Sequence, residues 1–240
     1  MDADVLVVGA GPVGLLLAAE LALAGVRPLV VERLAEPSTE IKARGIGALA
    51  AEAHRRRGLG EALAAHHERG LADLRRDHGT ERAHFAHLHK LDLVPPGEPT
   101  RERALIRQPE LERLLAEHTA VLGVTVLRGA SLTAITVRDD SVLATVGGRT
   151  LTASYLVGCD GGRSTVRGLA GFEFPGTDPY LVVLAGEVEL ADAAALPTAG
   201  RLPTGDLMHH LPRTGSGSYA GLLGVQELAS ASPPPAERCR

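Results

Sequence analysis

The sequence predicts an α/β fold that contains a parallel sheet and an inserted antiparallel meander. Residues 5–32 have the pattern of a strand, a glycine-rich turn, a helix and a second strand. Short apolar segments separated by Asp-Asp and Gly-Gly turns follow between residues 124 and 153, as in a meander. The continuous apolar run at 155–159 indicates a return to a strand that is covered on both faces.

The first elements form a strand–helix–strand unit. Residues 5–8 predict a buried first strand, because all four are apolar. A helix is expected to start at Pro12, since the first turn tolerates a missing amide, and to end before Gly25. Residues 28–31 predict the second strand, which completes the unit.

Helices and short strands occupy the middle of the chain. Residues 48–57 and 60–67 predict short helices, and residues 110–122 carry apolar side chains along one helical stripe. Short strands are expected at 124–127, 132–137, 141–146 and 149–153. Beyond Gly171 the pattern weakens, and only residues 181–190 are strand-like.

The composition is that of a globular chain without a nucleic-acid partner. The 240 residues are 45% hydrophobic and 22% charged, which allows a sizeable core, and the net charge of −4 gives no basic surface. The two cysteines, Cys159 and Cys239, form no CxxC pair and fit a reducing compartment. The apolar run at 15–23 is interrupted by Glu20 and is too short to cross a bilayer. We therefore expect a cytoplasmic protein without a membrane partner.

The turn after the first strand has the pattern of a dinucleotide-binding loop. Gly9 would allow a tight turn, Gly11 would let the backbone approach a pyrophosphate, and Gly14 would let helix and strand pack closely. The helix that starts at Pro12 would offer backbone amides and a partial positive charge to the phosphates. Glu32 lies where a carboxylate can accept the ribose hydroxyls, which favours FAD or NAD over NADP. A tight turn without a nucleotide is the alternative.

A second candidate site lies in the segment CDGGRSTVR at residues 159–167. An apolar strand leads directly into Asp160 and two glycines. A carboxylate and backbone amides that no side chain shields are therefore placed where they can contact a polar group. The alternative is structural, with Ser164 as a helix cap and Asp160 as a turn residue.

These two motifs together resemble those of the FAD-dependent aromatic hydroxylases, the single-component monooxygenases of the para-hydroxybenzoate hydroxylase type. The family pattern is matched at four positions of the second segment, which are Asp160, Gly161, Ser164 and Arg167. The resemblance implies a Rossmann-like FAD-binding domain over residues 1–170. It also implies the start of a mixed-sheet substrate domain over residues 171–240, incomplete and ending in a disordered tail. Because family members are roughly twice as long, we expect an amino-terminal or truncated form.

The resemblance also implies roles for individual residues. Asp160 and Gly161 would face the FAD pyrophosphate and the passing nicotinamide, and Arg167 would brace their loop. The stretch STEIKARG at 38–45 is similar to the polyketide-hydroxylase branch, in which an arginine at the position of Arg44 reaches the flavin phosphates. The alternative for Arg44 is an ordinary solvated loop residue.

Two further residues belong to the predicted cofactor site. Gln108 matches a family glutamine that contacts the ribityl chain, although an amino-terminal helix cap is an equal alternative. Arg33, the residue after Glu32, completes the set.

The activity implied by the resemblance is hydroxylation of a small aromatic, polyketide-like substrate with NADH or NADPH and O2. FAD is the expected cofactor, and no metal or protein nucleophile is required. No catalytic residue can be named, and the oligomeric state is open. The alternatives are a non-catalytic FAD-binding remnant and another flavoenzyme that shares the same FAD-binding half.

Several histidine and Gly-Asp patterns are expected to carry no function. His84, His87 and His89 lack a carboxylate or thiolate to complete a metal site. The adjacent pairs 66–67 and 209–210 are expected to be solvated. The segment GDLMHHLP at 205–212 matches a third family signature, but we interpret it as a chance match, since no apolar strand precedes it. Cys159 is expected to pack as a small apolar residue.

Overall fold

A six-stranded mixed sheet is the centre of the molecule's first unit. The computed structural model describes residues 1–78, 103–177, 181–189 and 218–227. The strands of this sheet are β1 (Ala3–Val8), β2 (Pro28–Val31), β3 (Thr125–Leu127), β4 (Leu132–Val137), β5 (Val142–Val146) and β6 (Arg149–Gly158). Their order across the sheet is β3-β2-β1-β6-β5-β4. β1 pairs in parallel with β2 and β6, and β2 with β3, whereas β5 is antiparallel to β4 and β6.

Helices connect and cover these strands. In the described residues they are α1 (Pro12–Leu23), α2 (Ala48–His54), α3 (Gly60–His78), α4 (Gln108–Val121) and α5 (Thr165–Leu169). A kink at Arg55–Leu59 separates α2 from α3, and Gly58 has a φ of +81° there. The guanidinium of Arg57 donates two hydrogen bonds of 2.6 Å to the carboxylate of Glu20, which ties the kink to α1.

Two apolar clusters cover the opposite faces of β1. Alternate side chains of a strand point to opposite faces, so Val5 and Val7 join one cluster while Leu6 and Val8 join the other. The first cluster contains Leu15 from α1, together with Leu111 and Leu115 from α4. The second is formed by β1, β2 and the meander strands; its meander members are Leu132, Ala144, Val146, Leu151 and Ala153. Burial on both faces explains why the sequence of β1 is apolar without alternation.

The predicted α/β class with an inserted meander is confirmed, and one strand prediction is wrong. The segments 149–153 and 155–159 were expected to be separate strands, but they form the single strand β6. Its first half pairs with β5 and its second half with β1, and Ala153 pairs on both sides. The antiparallel meander thus continues into the parallel sheet without a break, because no glycine or proline interrupts β6 before Gly158.

The helix expected at 60–67 is longer than predicted, since α3 continues to His78. The residues that follow include Glu, Leu, Ala and Arg, which are good helix formers, and one interior glycine costs a helix only about 1 kcal/mol.

The second unit contains one described strand pair. β7 (Leu181–Glu189) and β8 (Ser218–Glu227) are antiparallel, with Leu181 opposite Glu227. β7 was predicted, whereas β8 was not. The segment 205–212 and the carboxyl-terminal tail lie outside the described residues. In the part of the chain that is described, no helix has the length and apolar character needed to cross a membrane.

Candidate functional site

The carboxyl ends of three parallel strands meet at one edge of the sheet. Val8 at the end of β1 lies opposite Val31 of β2 and Gly158 of β6. Two hydrogen bonds continue this alignment past the strand ends. The amide of Gly9 donates to Val31 at 2.8 Å, and the amide of Cys159 donates to Val8 at 2.7 Å. The glycine-rich turn, the Glu32 loop and the Asp160 loop are therefore neighbours, at the edge where open α/β sheets bind ligands.

The glycine-rich turn is packed tightly on one side and open on the other. Gly9 has a φ of +107°, and a Cβ at this position would overlap the carbonyl of Cys159. A Cβ on Gly14 would overlap the carbonyl of Gly9 and lie 3.2 Å from Cβ of Cys159. In contrast, a Cβ on Gly11 would meet nothing within 4 Å. Gly9 and Gly14 thus allow close packing of the turn, while Gly11 borders open space.

That open space lies in front of the amino terminus of α1. Gly11 is the N-cap residue, no side chain caps the helix, and Pro12 occupies the first helical position. The first-turn amides of an α-helix have no partners within the helix, and its amino terminus carries a partial positive charge. This arrangement suits a phosphate group and fits a dinucleotide cofactor.

Glu32 lies at the same edge of the sheet, and its carboxylate accepts a hydrogen bond from the glycine-rich turn. Its Oε2 accepts a 2.8 Å hydrogen bond from the amide of Ala10, and its Oε1 accepts one of 2.9 Å from the amide of Leu34. Each carboxylate oxygen has a second lone pair, so both can accept a further hydroxyl. Arg33, the next residue, is exposed.

Arg44 and Gln108 lie on two chain segments that are joined side by side. The amide of Gln108 donates to the carbonyl of Ala43 at 2.9 Å, and Ile46 pairs with Ala104 in an antiparallel bridge. The side chain of Arg44 is exposed and has no hydrogen bond or ion pair within the described residues.

Gln108 is the first residue of α4, and its interpretation as the N-cap is wrong because Arg107 occupies that position. The Gln108 side chain donates from Nε2 to Glu112 at 2.8 Å, one turn further along the helix. This bond orients the amide group and leaves its Oε1 as an acceptor for another group.

Asp160 caps the short helix α5. Its Oδ1 accepts a 2.6 Å hydrogen bond from the hydroxyl of Ser164, and its Oδ2 accepts from the amides of Thr165 at 2.6 Å and Val166 at 3.1 Å. Burial raises the pKa of this carboxyl, but the hydrogen bonds from Ser164 and the backbone amides outweigh burial and hold the pKa below its usual range. Ser164 is the N-cap and accepts from the amide of Arg167 at 3.0 Å.

Arg167 holds the loop that contains the two glycines. Its Nη1 donates to the carbonyl of Gly162 at 3.0 Å, and its guanidinium lies 4.3 Å from the ring centroid of Phe174. The backbone of Asp160, Gly161 and Gly162 is therefore fixed at both ends.

Cys159 packs as a small apolar residue, as predicted. It contacts the cluster that contains Leu15 and Val7, and burial raises the pKa of its thiol, with the Asp160 charge acting in the same direction. A protonated thiol is a poor nucleophile, so Cys159 serves packing.

The prediction that the pair 66–67 is solvated is wrong for His66, whereas His67 is half-buried. His66 is only 8% exposed, and its Nδ1 lies 3.3 Å from Oε2 of Glu110. Nδ1 of His67 accepts a 3.1 Å hydrogen bond from the amide of Leu105. The helical spacing of His66 with two buried leucines, Leu59 and Leu63, is the sequence signal that indicates its burial.

The described residues contain no group of three or more His, Cys, Asp or Glu side chains that could hold a metal ion. His84, His87, His89 and the pair 209–210 lie outside the described residues.

Comparison with known families agrees with a dinucleotide site at this sheet edge. A family model described as "FAD binding domain" matches residues 2–217. The chain belongs to this FAD-binding family. FAD is accordingly the cofactor that the fold is built to hold.

Two curated relatives of this FAD-binding chain have different activities in their names. A rifampicin monooxygenase from Streptomyces venezuelae is 40% identical over 192 residues, which cover 78% of this chain and 38% of the relative. A dialkyldecalin synthase from Streptomyces rugosporus is 38% identical over 197 residues, which cover 81% of this chain and 40% of the relative.

A solved structure shares the fold of this FAD-binding chain. The anhydrotetracycline hydroxylase from Streptomyces rimosus superposes with a TM-score of 0.65 at 39% sequence identity, over 75% of this chain and 36% of the hydroxylase. The chain thus spans less than half the length of each of these three proteins. The expected Rossmann-like FAD-binding fold is confirmed.

Proposed function

We propose that this chain is the FAD-binding part of a monooxygenase that hydroxylates an aromatic, polyketide-like substrate with NADH or NADPH and O2. The observation that carries the proposal is the convergence of the glycine-rich turn, Glu32 and the Asp160 loop at one sheet edge, beside open space at Gly11. Two of the three named relatives, a rifampicin monooxygenase and an anhydrotetracycline hydroxylase, support oxygenation as the reaction.

The glycine-rich turn is the proposed pyrophosphate site. Gly9 and Gly14 bring the turn close to the sheet, Gly11 leaves room for the phosphates, and Pro12 starts the helix whose amides face them. Glu32 accepts the ribose hydroxyls with its remaining lone pairs.

The other predicted residues contact further parts of the cofactor in this proposal. Arg44 reaches the phosphates and Gln108 contacts the ribityl chain, while Arg33 adds a positive charge beside Glu32. Asp160 and Gly161 face the pyrophosphate and the incoming nicotinamide.

Bound FAD would supply the redox chemistry, which protein side chains do not provide. The contribution of this chain is to bind and orient the cofactor. Because the carboxylate of Asp160 is already hydrogen-bonded, its role is to hold backbone amides in place rather than to transfer protons.

The proposal is tested first by cofactor binding and then by turnover. The purified chain is mixed with FAD and passed through gel filtration, and we expect flavin absorbance to elute with the protein. A folded chain that elutes without flavin would contradict the proposal. NADH and NADPH oxidation and O2 consumption are then measured with and without polycyclic aromatic compounds, and a substrate-dependent increase is expected.

The similarity to the dialkyldecalin synthase favours a second candidate, in which the same FAD-binding part belongs to a synthase that does not consume O2. Its 38% identity is close to the 40% of the monooxygenase. Conversion of a substrate under anaerobic conditions without NADH or NADPH would identify the synthase. A requirement for both O2 and a reduced nicotinamide would identify the monooxygenase.

A further inference from the structure

Residues 104–108 form a short strap that carries the chain into α4. Ala104 and Ile106 of this strap are 1% and 3% exposed, so the strap is anchored in the core. On one side it pairs with the segment that contains Arg44. The amide of Ile46 donates to Ala104 at 2.9 Å, and the amide of Ala104 donates back at 3.1 Å.

The opposite side of the strap lies against α3. In an extended segment successive amides point in opposite directions, so the amide of Leu105 points away from Ile46 and needs another partner. Nδ1 of His67 is that partner, at 3.1 Å. His67 must carry its hydrogen on Nε2 to accept at Nδ1, so this bond requires the neutral imidazole.

Gly70, one turn after His67, sets how closely α3 approaches the strap. A Cβ at Gly70 would lie 2.7 Å from Cβ of Leu105, which is too close for two carbon atoms. Because each Cβ is fixed to its own backbone, relief of this contact would require the strap and α3 to move apart. The segment on the other side has equally little room, since a Cβ on Gly45 would lie 2.9 Å from the carbonyl oxygen of Ala104.

Two predicted cofactor residues depend on the position of this strap. Gln108 is the last residue of the strap, and its amide donates to Ala43 at 2.9 Å. Arg44 stands between Ala43 and Gly45, both of which contact the strap. A shift of the strap would therefore move Gln108 directly and Arg44 through its neighbours.

We propose that His67 and Gly70 are positioning residues for FAD, because they fix the strap that holds Arg44 and Gln108 in place. This inference rests on the proposed function, since Arg44 and Gln108 are cofactor residues only within it. Neither His67 nor Gly70 needs to touch the cofactor, because both act through Leu105.

Two pairs of variants test the proposal. Each chain is titrated with FAD, and binding is measured by the quenching of flavin fluorescence. His67→Phe keeps a ring but removes the acceptor, and we expect FAD binding to weaken about fivefold to tenfold. His67→Asn places Oδ1 where Nδ1 was and should bind FAD within about threefold of the wild type.

Gly70→Ala distinguishes an effect on the position of the strap from an effect on the stability of α3. Alanine favours a helix by about 1 kcal/mol over glycine, so α3 itself is not weakened, while the added Cβ displaces the strap. We expect FAD binding about tenfold weaker, with helical circular dichroism retained. The matched control is Gly60→Ala in the same helix, where the added Cβ would lie 3.5 Å from Arg55, an ordinary contact.

Wild-type FAD affinity in both His67→Phe and Gly70→Ala would overturn the inference. If His67→Phe does not fold, the pair Gly70→Ala and Gly60→Ala decides alone. A folded wild-type chain that binds no FAD would instead overturn the proposed function, and it is recognised before any variant is compared.

Discussion

At the scale of single residues, the candidate site depends on glycines, which have no side chain, as much as on the polar side chains around them. Gly9 and Gly14 lack side chains because the carbonyls of Cys159 and Gly9 occupy that space. Gly11 has no such neighbour, so its lack of a side chain is not required by packing within the chain. The three glycines of one motif therefore have separable physical roles.

Gly14→Ala should destabilise the fold itself. The added Cβ would overlap the carbonyl of Gly9, and relief of such overpacking costs about 1–3 kcal/mol or more. Urea unfolding followed by circular dichroism measures the loss. Gly168→Ala is the control, since its Cβ would meet nothing within 4 Å. Equal stability of the two variants would show that the turn is more loosely packed than described.

Asp160→Asn should destabilise the chain at neutral pH by about 0.5–1.5 kcal/mol, the usual net value of one hydrogen bond, because one of the two accepting carboxylate oxygens becomes an NH2 group that cannot accept. The pKa of Asp160 is lower in the folded chain than in the unfolded chain. Its contribution is therefore fully present well above about pH 4, the ordinary carboxyl range, and is lost as pH falls through the folded-state pKa.

Urea unfolding of wild type and Asp160→Asn at several pH values measures this contribution. We expect the difference in unfolding free energy to be largest near pH 7 and to shrink below about pH 4. A difference that stays constant with pH would mean that the charge of Asp160 has no part in capping α5.

At the scale of elements, the sequence pattern predicted the strands whose bounds depend on neighbouring residues, and it missed features that depend on distant ones. β2 occupies residues 28–31 as expected, because a proline starts this short apolar run and a glutamate follows it. β6 was divided wrongly, since its change of partner from β5 to β1 at Ala153 is a tertiary event that leaves no mark in the sequence. The contact of His67 with Leu105, 38 residues later, was unpredictable for the same reason.

The packing of α4 on α1 should contribute strongly to stability. Leu115 is fully buried between these helices and the sheet, so Leu115→Ala should cost about 2–5 kcal/mol. Val121→Ala in the same helix is the control, because Val121 is 86% exposed and its truncation should change stability by less than about 0.5 kcal/mol. A similar small loss for both variants would argue that α4 does not pack as described.

At the scale of the whole molecule, the sheet edge brings together residues that are far apart in the sequence. The Gly9 turn, Glu32 and Asp160 are neighbours only because β1, β2 and β6 are parallel and aligned. The sequence motifs indicated each residue separately, and the resemblance joined them into one cofactor site. The second role of Glu32, as acceptor for the amides of Ala10 and Leu34, became visible only in the folded chain.

The binding of FAD should stabilise the whole first unit. A ligand that binds only the folded state at a hundred times its dissociation constant adds about 2.7 kcal/mol of stability. Thermal unfolding with increasing FAD should therefore show a rising midpoint, whereas NADP should give no such rise. An unchanged midpoint at saturating FAD would contradict a site formed by the folded sheet edge.

Titration of the wild-type chain and of Gly11→Ala with FAD tests the central claim most directly. The added Cβ meets no protein atom, so the unfolding free energy should change by less than about 0.5 kcal/mol. It enters the space assigned to the pyrophosphate, so FAD binding should weaken about tenfold or more. We expect the wild type to bind FAD saturably. We expect Gly11→Ala to be equally stable and to bind FAD about tenfold or more weakly. Equal affinity in the two chains, or no binding by either, would contradict a pyrophosphate site at this turn.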